Sequence, residues 1–251
     1  MDKRIISCSN EWLFFIYINL YRLFHKTLKI ICNINMNLEI LVPSSLDEIT
    51  LGQYQKYLRI AENNPSGSFL DAKMIEIFCG VPLSDSYKLK MGSVNKVLTM
   101  LDKVLNTKPN HVTKFTMNGV DYGFIPDLNE MSLGEYIDLD NNLAAWENMH
   151  IAMNVLYRPI KISKLNKYSI VDYTALTPEV MKDMPLSAVI GSIFFLYNLG
   201  ITLSKHMIHY SAGTEEEIIQ VNQTLQQNGV GINQFMDSLT EILQDLKISL
   251  N

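Results

Sequence analysis

The phrase Leu46-Asp47-Glu48-Ile49-Thr50-Leu51-Gly52-Gln53-Tyr54 occurs a second time as Leu128-Asn129-Glu130-Met131-Ser132-Leu133-Gly134-Glu135-Tyr136, with five positions identical. Each copy has a hydroxyl residue followed three positions later by Gln or Glu: Thr50 with Gln53, and Ser132 with Glu135. That spacing is a capping box, in which the hydroxyl accepts from the N3 backbone N–H and the N3 side chain accepts from the N-cap N–H. Two of the four N–H groups that a helix start leaves without partners are thereby satisfied. Ile49 and Met131 precede the caps, and Tyr54 and Tyr136 stand at the fourth helical position. Each copy therefore also has the spacing of a hydrophobic staple, which sets the angle at which the chain enters its helix. Gly52 and Gly134 are poor helix formers, by roughly 1 kcal/mol against Ala, and point to a second backbone packed closely at both places. The flanks 55–63 and 137–145 share little, so the phrase describes two well-built helix starts and gives thin support to a duplicated domain.

With 251 residues, 47% hydrophobic and 19% charged, the chain has the balance of a globular protein and material for a full core. A net charge of −5 without a Lys/Arg stripe argues against sequence-independent nucleic-acid binding. Cys8, Cys32 and Cys79 stand far apart, giving neither a disulfide framework nor a metal quartet, which fits a reducing compartment. Residues 1–35 differ from the rest: Lys3, Arg4, Arg22, Lys26 and Lys29 outnumber Asp2 and Glu11, whereas the remainder is acidic. The apolar run 12–21 is too short to span a bilayer, which takes about 20 residues, and no small-residue cleavage site follows it. Three readings of 1–35 stand: an extension ahead of a true start at Met36, a basic amphipathic stretch on a membrane surface, or an ordered helix of the fold. The first is preferred.

Beyond Met36 the patterning predicts a mainly α protein: a compact helical domain over 36–210 with one small β-hairpin at about 114–125, then a C-terminal helical arm over 211–251. A short strand over 38–42 ends at Pro43, and the first capped helix runs over 51–62. A second starts near Ser68, with Asp71 completing another box, and stops at Gly80; its inward residues are Phe69, Met74, Ile77 and Phe78. A third covers 93–106, with Val94, Val97, Leu98, Leu101, Val104 and Leu105 along one side. Asn118-Gly119 between two β-prone runs predicts a type I′ hairpin turn. From the second copy of the phrase a long helix is expected to reach Tyr157 or Arg158, with Leu143, Trp146, Met149, Met153 and Leu156 as its buried stripe. Residues 168–173 read as a strand or a helical turn, and Thr177-Pro178-Glu179 starts a brief helix. The uncharged stretch 186–203 borders on a membrane span, but Ser187, Ser192, Asn198 and Thr202 favour a buried central helix. The arm carries two helices, one capped by Thr214 with Glu217, the other bearing Phe235, Leu239, Ile242, Leu243 and Leu246.

Signatures of chemistry are sparse. Glu147 and His150 form half of a di-iron bundle motif that has no second half here, so they read as a solvated helix face. His206 and His209 lack a third ligand of evident geometry, and a helix C-terminus favours His without metal. Asp138, Asp140 and Asn142 copy the first three ligands of a calcium loop, but Leu143 and Met149 occupy its sixth and twelfth positions. Phosphate loops, dinucleotide fingerprints and nucleophile elbows do not occur. Cys79 is a lone thiol without a recognisable base. The expectation is therefore no catalytic residue, no cofactor and no metal.

The runs Phe124-Ile125-Pro126-Asp127-Leu128, Gly134-Glu135-Tyr136-Ile137-Asp138-Leu139 and Met153-Asn154-Val155-Leu156-Tyr157-Arg158-Pro159-Ile160 resemble α-rich proteins encoded among the virion genes of tailed bacteriophages, including phages of gut Bacteroidetes. Met184-Pro185-Leu186 and Phe194-Phe195-Leu196-Tyr197-Asn198-Leu199-Gly200 add to the likeness, which covers about 36–203. Some such proteins are compared with tail assembly chaperones. The resemblance implies a non-enzymatic assembly factor or minor virion or tail component, in the host cytoplasm or the virion. Its implied partners are other phage structural or assembly proteins, or further copies of itself. The residues expected to make contacts are Tyr136, Asp138 and Asp140 on an acidic surface, Arg158, and Phe235, Leu239 and Leu243 of the last helix. Arg158 has the alternative role of capping its own helix end. A membrane-associated protein using 12–31 and 186–203 is the alternative function, and an enzyme with an unrecognised site the second.

Overall fold

The computed structural model describes residues 28–33, 37–64, 66–165, 167–175, 177–211 and Thr240; for 28–33, 37–39 and 203–211 it gives the backbone alone. The chain begins with an antiparallel pair, β1 (Leu28–Asn33) and β2 (Asn37–Val42). Then come a 3-10 turn (Leu46–Glu48), α1 (Leu51–Asn63), α2 (Ser68–Cys79), the single-turn α3 (Leu83–Ser86) and α4 (Met91–Leu105). A hairpin of β3 (Lys114–Met117) and β4 (Val120–Phe124) leads through a second 3-10 turn (Leu128–Glu130) to α5 (Leu133–Leu143). After a third 3-10 turn (Trp146–Asn148) follow α6 (Met149–Leu156), β5 (Tyr157–Lys164) and β6 (Lys167–Ile170). A last 3-10 segment (Pro178–Asp183) precedes α7 (Leu186–Ser211). The protein is mainly α.

Both capping boxes form. Thr50 Oγ1 accepts from the Gln53 N–H at 3.2 Å while Gln53 Oε1 accepts from the Thr50 N–H at 2.9 Å; in the second copy the matching distances are 3.3 and 2.7 Å. Their surroundings differ. The first copy is built into the core, with Ile49, Leu51 and Tyr54 buried. Its backbone is tied to the start of α7 by Leu51 N–H to the Met184 carbonyl (2.9 Å) and Leu186 N–H to the Ile49 carbonyl (2.8 Å). A Cβ on Gly52 would stand 3.1 Å from the Lys182 carbonyl oxygen, so the expected close backbone is there. Around Gly134 a Cβ would meet open space, and the expectation fails for the second copy. That copy lies at the surface, with Met131 half-buried and Tyr136 exposed.

The hairpin turns at Asn118 (φ 51°) and Gly119 (φ 76°), the paired positive φ that a type I′ turn requires. It is not alone, however. The sheet has four antiparallel strands in the order β3-β4-β5-β6, and the expectation of a single hairpin is corrected accordingly. Pro159 disfavours helical backbone at Arg158, so α6 stops at Leu156 and the chain runs on extended. Tyr157 then pairs with Phe124 and Arg158 with Gly123. A side chain at Gly123 would run into the Tyr168 ring, which crosses the sheet there and donates its hydroxyl to the Phe124 carbonyl at 2.7 Å.

The predicted long helix is also two. Ala145 turns extended between α5 and α6. The reason is burial: α5 hides one side, Glu135, Leu139 and Leu143, whereas six of the eight residues of α6 are buried. One straight axis cannot both lie on the surface and enter the core. The stripe Leu143, Trp146, Met149, Met153 and Leu156 is buried as the spacing indicated. In α2 the N-cap is Gly67 with no side-chain cap, and the inward residues are Ala72, Ile75, Ile77 and Phe78, while Phe69 is exposed. With Ser68 already inside the first turn, its hydroxyl no longer occupies the capping position and the Asp71 box does not form. Gly80 does end the helix in left-handed backbone (φ 69°).

The start of α7 is buried from Leu186 through Phe194, and no helix among the described residues is long and apolar enough to cross a membrane. Of the readings of 1–35, a helix does not hold for 28–33, which is a strand paired with β2 across Met36. The caps and helices expected beyond 211, with Phe235, Leu239 and Leu243, lie outside the described residues, as does 12–27.

Two glycines test this architecture. A side chain at Gly191 of α7 would collide with the backbone carbonyl of Asn110. Gly191→Ala is expected to destabilise by about 1–3 kcal/mol, the cost of overpacking. Gly134→Ala is expected to stabilise by roughly 0.5–1 kcal/mol through helix propensity alone. Thermal unfolding of both variants checks the opposite signs.

Candidate functional site

Arg158 and three of the other expected contact residues gather around α5, and the structure gives them different roles. Glu135 is the N3 residue of the second capping box. One of its oxygens holds the Ser132 N–H, and the other accepts from Arg158 Nη1 at 2.8 Å. The two side chains are 8% and 12% exposed, so the pair is largely withdrawn from water. Burial pushes the Glu135 carboxyl up, but its bonds to Ser132 and the Arg158 guanidinium outweigh that and hold it below the ordinary carboxylate value. Arg158 therefore does not cap its own helix end: extended backbone at β5 points it back to α5.

The first copy of the phrase uses the same position in the same way with the opposite polarity. Gln53 holds the Thr50 N–H through its oxygen and donates its amide N–H to the Ile77 carbonyl at 2.9 Å. Where the neighbour is a carbonyl the residue must donate, and where it is a guanidinium it must accept. That chemistry accounts for Gln in one copy and Glu in the other.

Arg158 and Glu135 line a cleft of about 550 Å³ together with Asp127, Glu130, Tyr168 and Asp172. Arg158 Nε is buried there without a hydrogen-bond partner among the described residues. Asp138 accepts from the Tyr173 hydroxyl at 2.8 Å. Burial, then that carboxylate, pushes the Tyr173 hydroxyl up to about 12. Asp138 is thus a structural acceptor between α5 and the segment after β6.

Tyr136 and Asp140 face the other way. Tyr136 is 41% exposed and shares its side of α5 with Leu133 (74%) and Ile137 (46%). Leu133, Tyr136, Ile137 and Asp140 follow the i, i+3, i+4, i+7 spacing of one helix face. Sequence reasoning missed Leu133 and Ile137. The signal was available, since α5 carries more apolar residues than the one side that meets the core can hide.

His150 is a correction. It is buried, and its Nδ1 lies 3.2 Å from Gln55 Nε2, which also donates to the Trp146 carbonyl at 2.7 Å. Its Nε2 lies 3.4 Å from Glu179 Oε1. Burial and then the charge of Lys182 hold His150 below its ordinary 6.5, against the pull of Glu179. Cys79 has its thiol pushed up to about 12 by burial, so it is no thiolate at neutral pH. A second cavity, about 1120 Å³, lies by β3, β6 and α7; His111 lines it, stacked on Phe195 at 4.4 Å. The side chains of His206 and His209 lie outside the described residues. Among the described residues no group of three or more His, Cys, Asp and Glu stands together to hold a metal ion.

Comparison with protein-family models, with curated proteins and with solved structures gives no match.

Removing one member of a buried ion pair strands the other. Arg158→Met is expected to destabilise by about 3 kcal/mol, and Arg158→Met with Glu135→Gln by clearly less than the sum of the singles; denaturant unfolding of the four proteins measures this coupling. The titrations have a definite sign. Glu135, His111 and His150 all have folded values below their ordinary ones, 4.5 for Glu and 6.5 for His. The histidine contribution is present above 6.5 and lost as pH falls through the folded values; the Glu135 contribution goes the same way below 4.5. Tm is expected to fall between pH 7 and pH 5, and His150→Gln to reduce that fall.

Proposed function

We propose that the protein is a non-enzymatic assembly factor or minor virion component of a tailed bacteriophage, working through protein–protein contacts in the host cytoplasm or the virion. The observation that supports this most is the outward face of α5. Leu133, Tyr136 and Ile137 form a contiguous apolar patch on a helix whose other side is already fixed by Glu135, Leu139 and Leu143. Apolar side chains gathered on an ordered surface mark contact sites, and an aromatic residue among them is typical of interface centres. The phage context comes from the resemblance over 36–203.

The test is mass spectrometry of purified virions and of assembly intermediates from infected cells expressing tagged protein. The expected result is co-purification with virion or tail proteins, reduced at least tenfold by Leu133→Asp with Ile137→Asp while Tm stays within a few degrees. Absence from every assembly intermediate rejects the proposal.

A further inference from the structure

The α5 face is flanked by a one-signed stretch of chain. Between Phe124 and Arg158 stand six carboxylates, Asp127, Glu130, Glu135, Asp138, Asp140 and Glu147, and no Lys or Arg. Three are used internally, Glu135 by Arg158, Asp138 by Tyr173, and Asp127 by the backbone N–H and side-chain amide of Asn129. Asp127 and Glu130 precede the apolar patch, and Asp140 closes it one turn beyond Tyr136. Among the described residues none of these three has a Lys or Arg within ion-pair distance. Asp140 also lies near the C-terminus of α5, where the helix dipole adds to the negative potential.

We infer that the occupant of this face is an amphipathic segment of another protein that carries Lys or Arg beside its apolar residues; this rests on the contact role proposed above. Charge complementarity selects it. A second copy presenting the same face about a two-fold axis would set carboxylates against carboxylates. Nucleic acid and anionic lipid headgroups meet the same repulsion. Three exposed apolar side chains make a small contact, so steering and orientation by the flanking carboxylates decide which segment stays.

The experiment uses the full chain and two labelled helical peptides with identical leucine faces, one otherwise rich in lysine and one in glutamate, read by fluorescence anisotropy. The lysine peptide is expected to bind at least tenfold more tightly than the glutamate peptide and to weaken as salt rises. Asp140→Lys should cost at least fivefold, whereas Glu62→Lys on α1, an equal change of net charge, should cost less than twofold. Leu133→Asp with Ile137→Asp should remove binding. Equal binding of both peptides, no binding of the lysine peptide, or equal effects of the Asp140 and Glu62 variants overturns the inference. So does a dimer in sedimentation that Leu133→Asp abolishes, which would assign the face to a second copy. The contact role itself falls if the protein is absent from every assembly intermediate, or if Leu133→Asp with Ile137→Asp leaves co-purification from infected cells unchanged, so the two failures are distinguishable.

Discussion

The carboxylate of Glu135 is held on two sides at once, by the Ser132 N–H that it caps and by the Arg158 guanidinium at 2.8 Å. The placement of the surface helix follows from that. A capping box fixes where a helix begins but not what it lies against. The second bond supplies the missing constraint, by joining the first turn of α5 to β5. Pro159 contributes upstream, because it disfavours helical backbone at Arg158 and so favours the strand from which that side chain reaches α5. With Glu135, Leu139 and Leu143 directed inward, Leu133, Tyr136 and Ile137 have nowhere to point but out. The exposed face is thus a geometric consequence of the buried pair.

The first copy of the phrase shows the same device turned to a different end. Gln53 joins its helix start to the last turns of α2 through the Ile77 carbonyl, and the backbone of 49–51 pairs with 184–186. Gly52 admits the Lys182 carbonyl, so α1 and the start of α7 are locked together inside the core. Gly134 admits nothing. One phrase thus builds both a core junction and a surface helix, and the difference lies in what the N3 residue reaches and whether the glycine is used.

Much of the build was legible in the sequence, because capping boxes, an Asn-Gly turn and the Gly80 stop are local devices whose physics needs no distant partner. The buried stripe from Leu143 to Leu156 was legible for the same reason. What could not be read was long-range. β5 and β6 exist as strands because β4 offers an edge to Tyr157 and Arg158, and nothing within 157–170 announces that edge. The break at Ala145 reflects the different burial of α5 and α6 and not a helix-breaking residue. At the site, Tyr136 lies exposed on α5, whereas Asp138 and Arg158 have partners within the chain, Tyr173 and Glu135. Their charges suggested contact with another protein, and only the fold shows that each has a partner within this chain.

Amide hydrogen exchange in the wild-type protein and in Arg158→Met tests the central claim most directly, since it reports separately on the two helix starts. If the Glu135–Arg158 pair anchors α5, the variant loses protection over 133–137 while the start of α1 at 51–55 keeps its own. Unchanged protection over 133–137, or equal loss at both helix starts, would contradict the account.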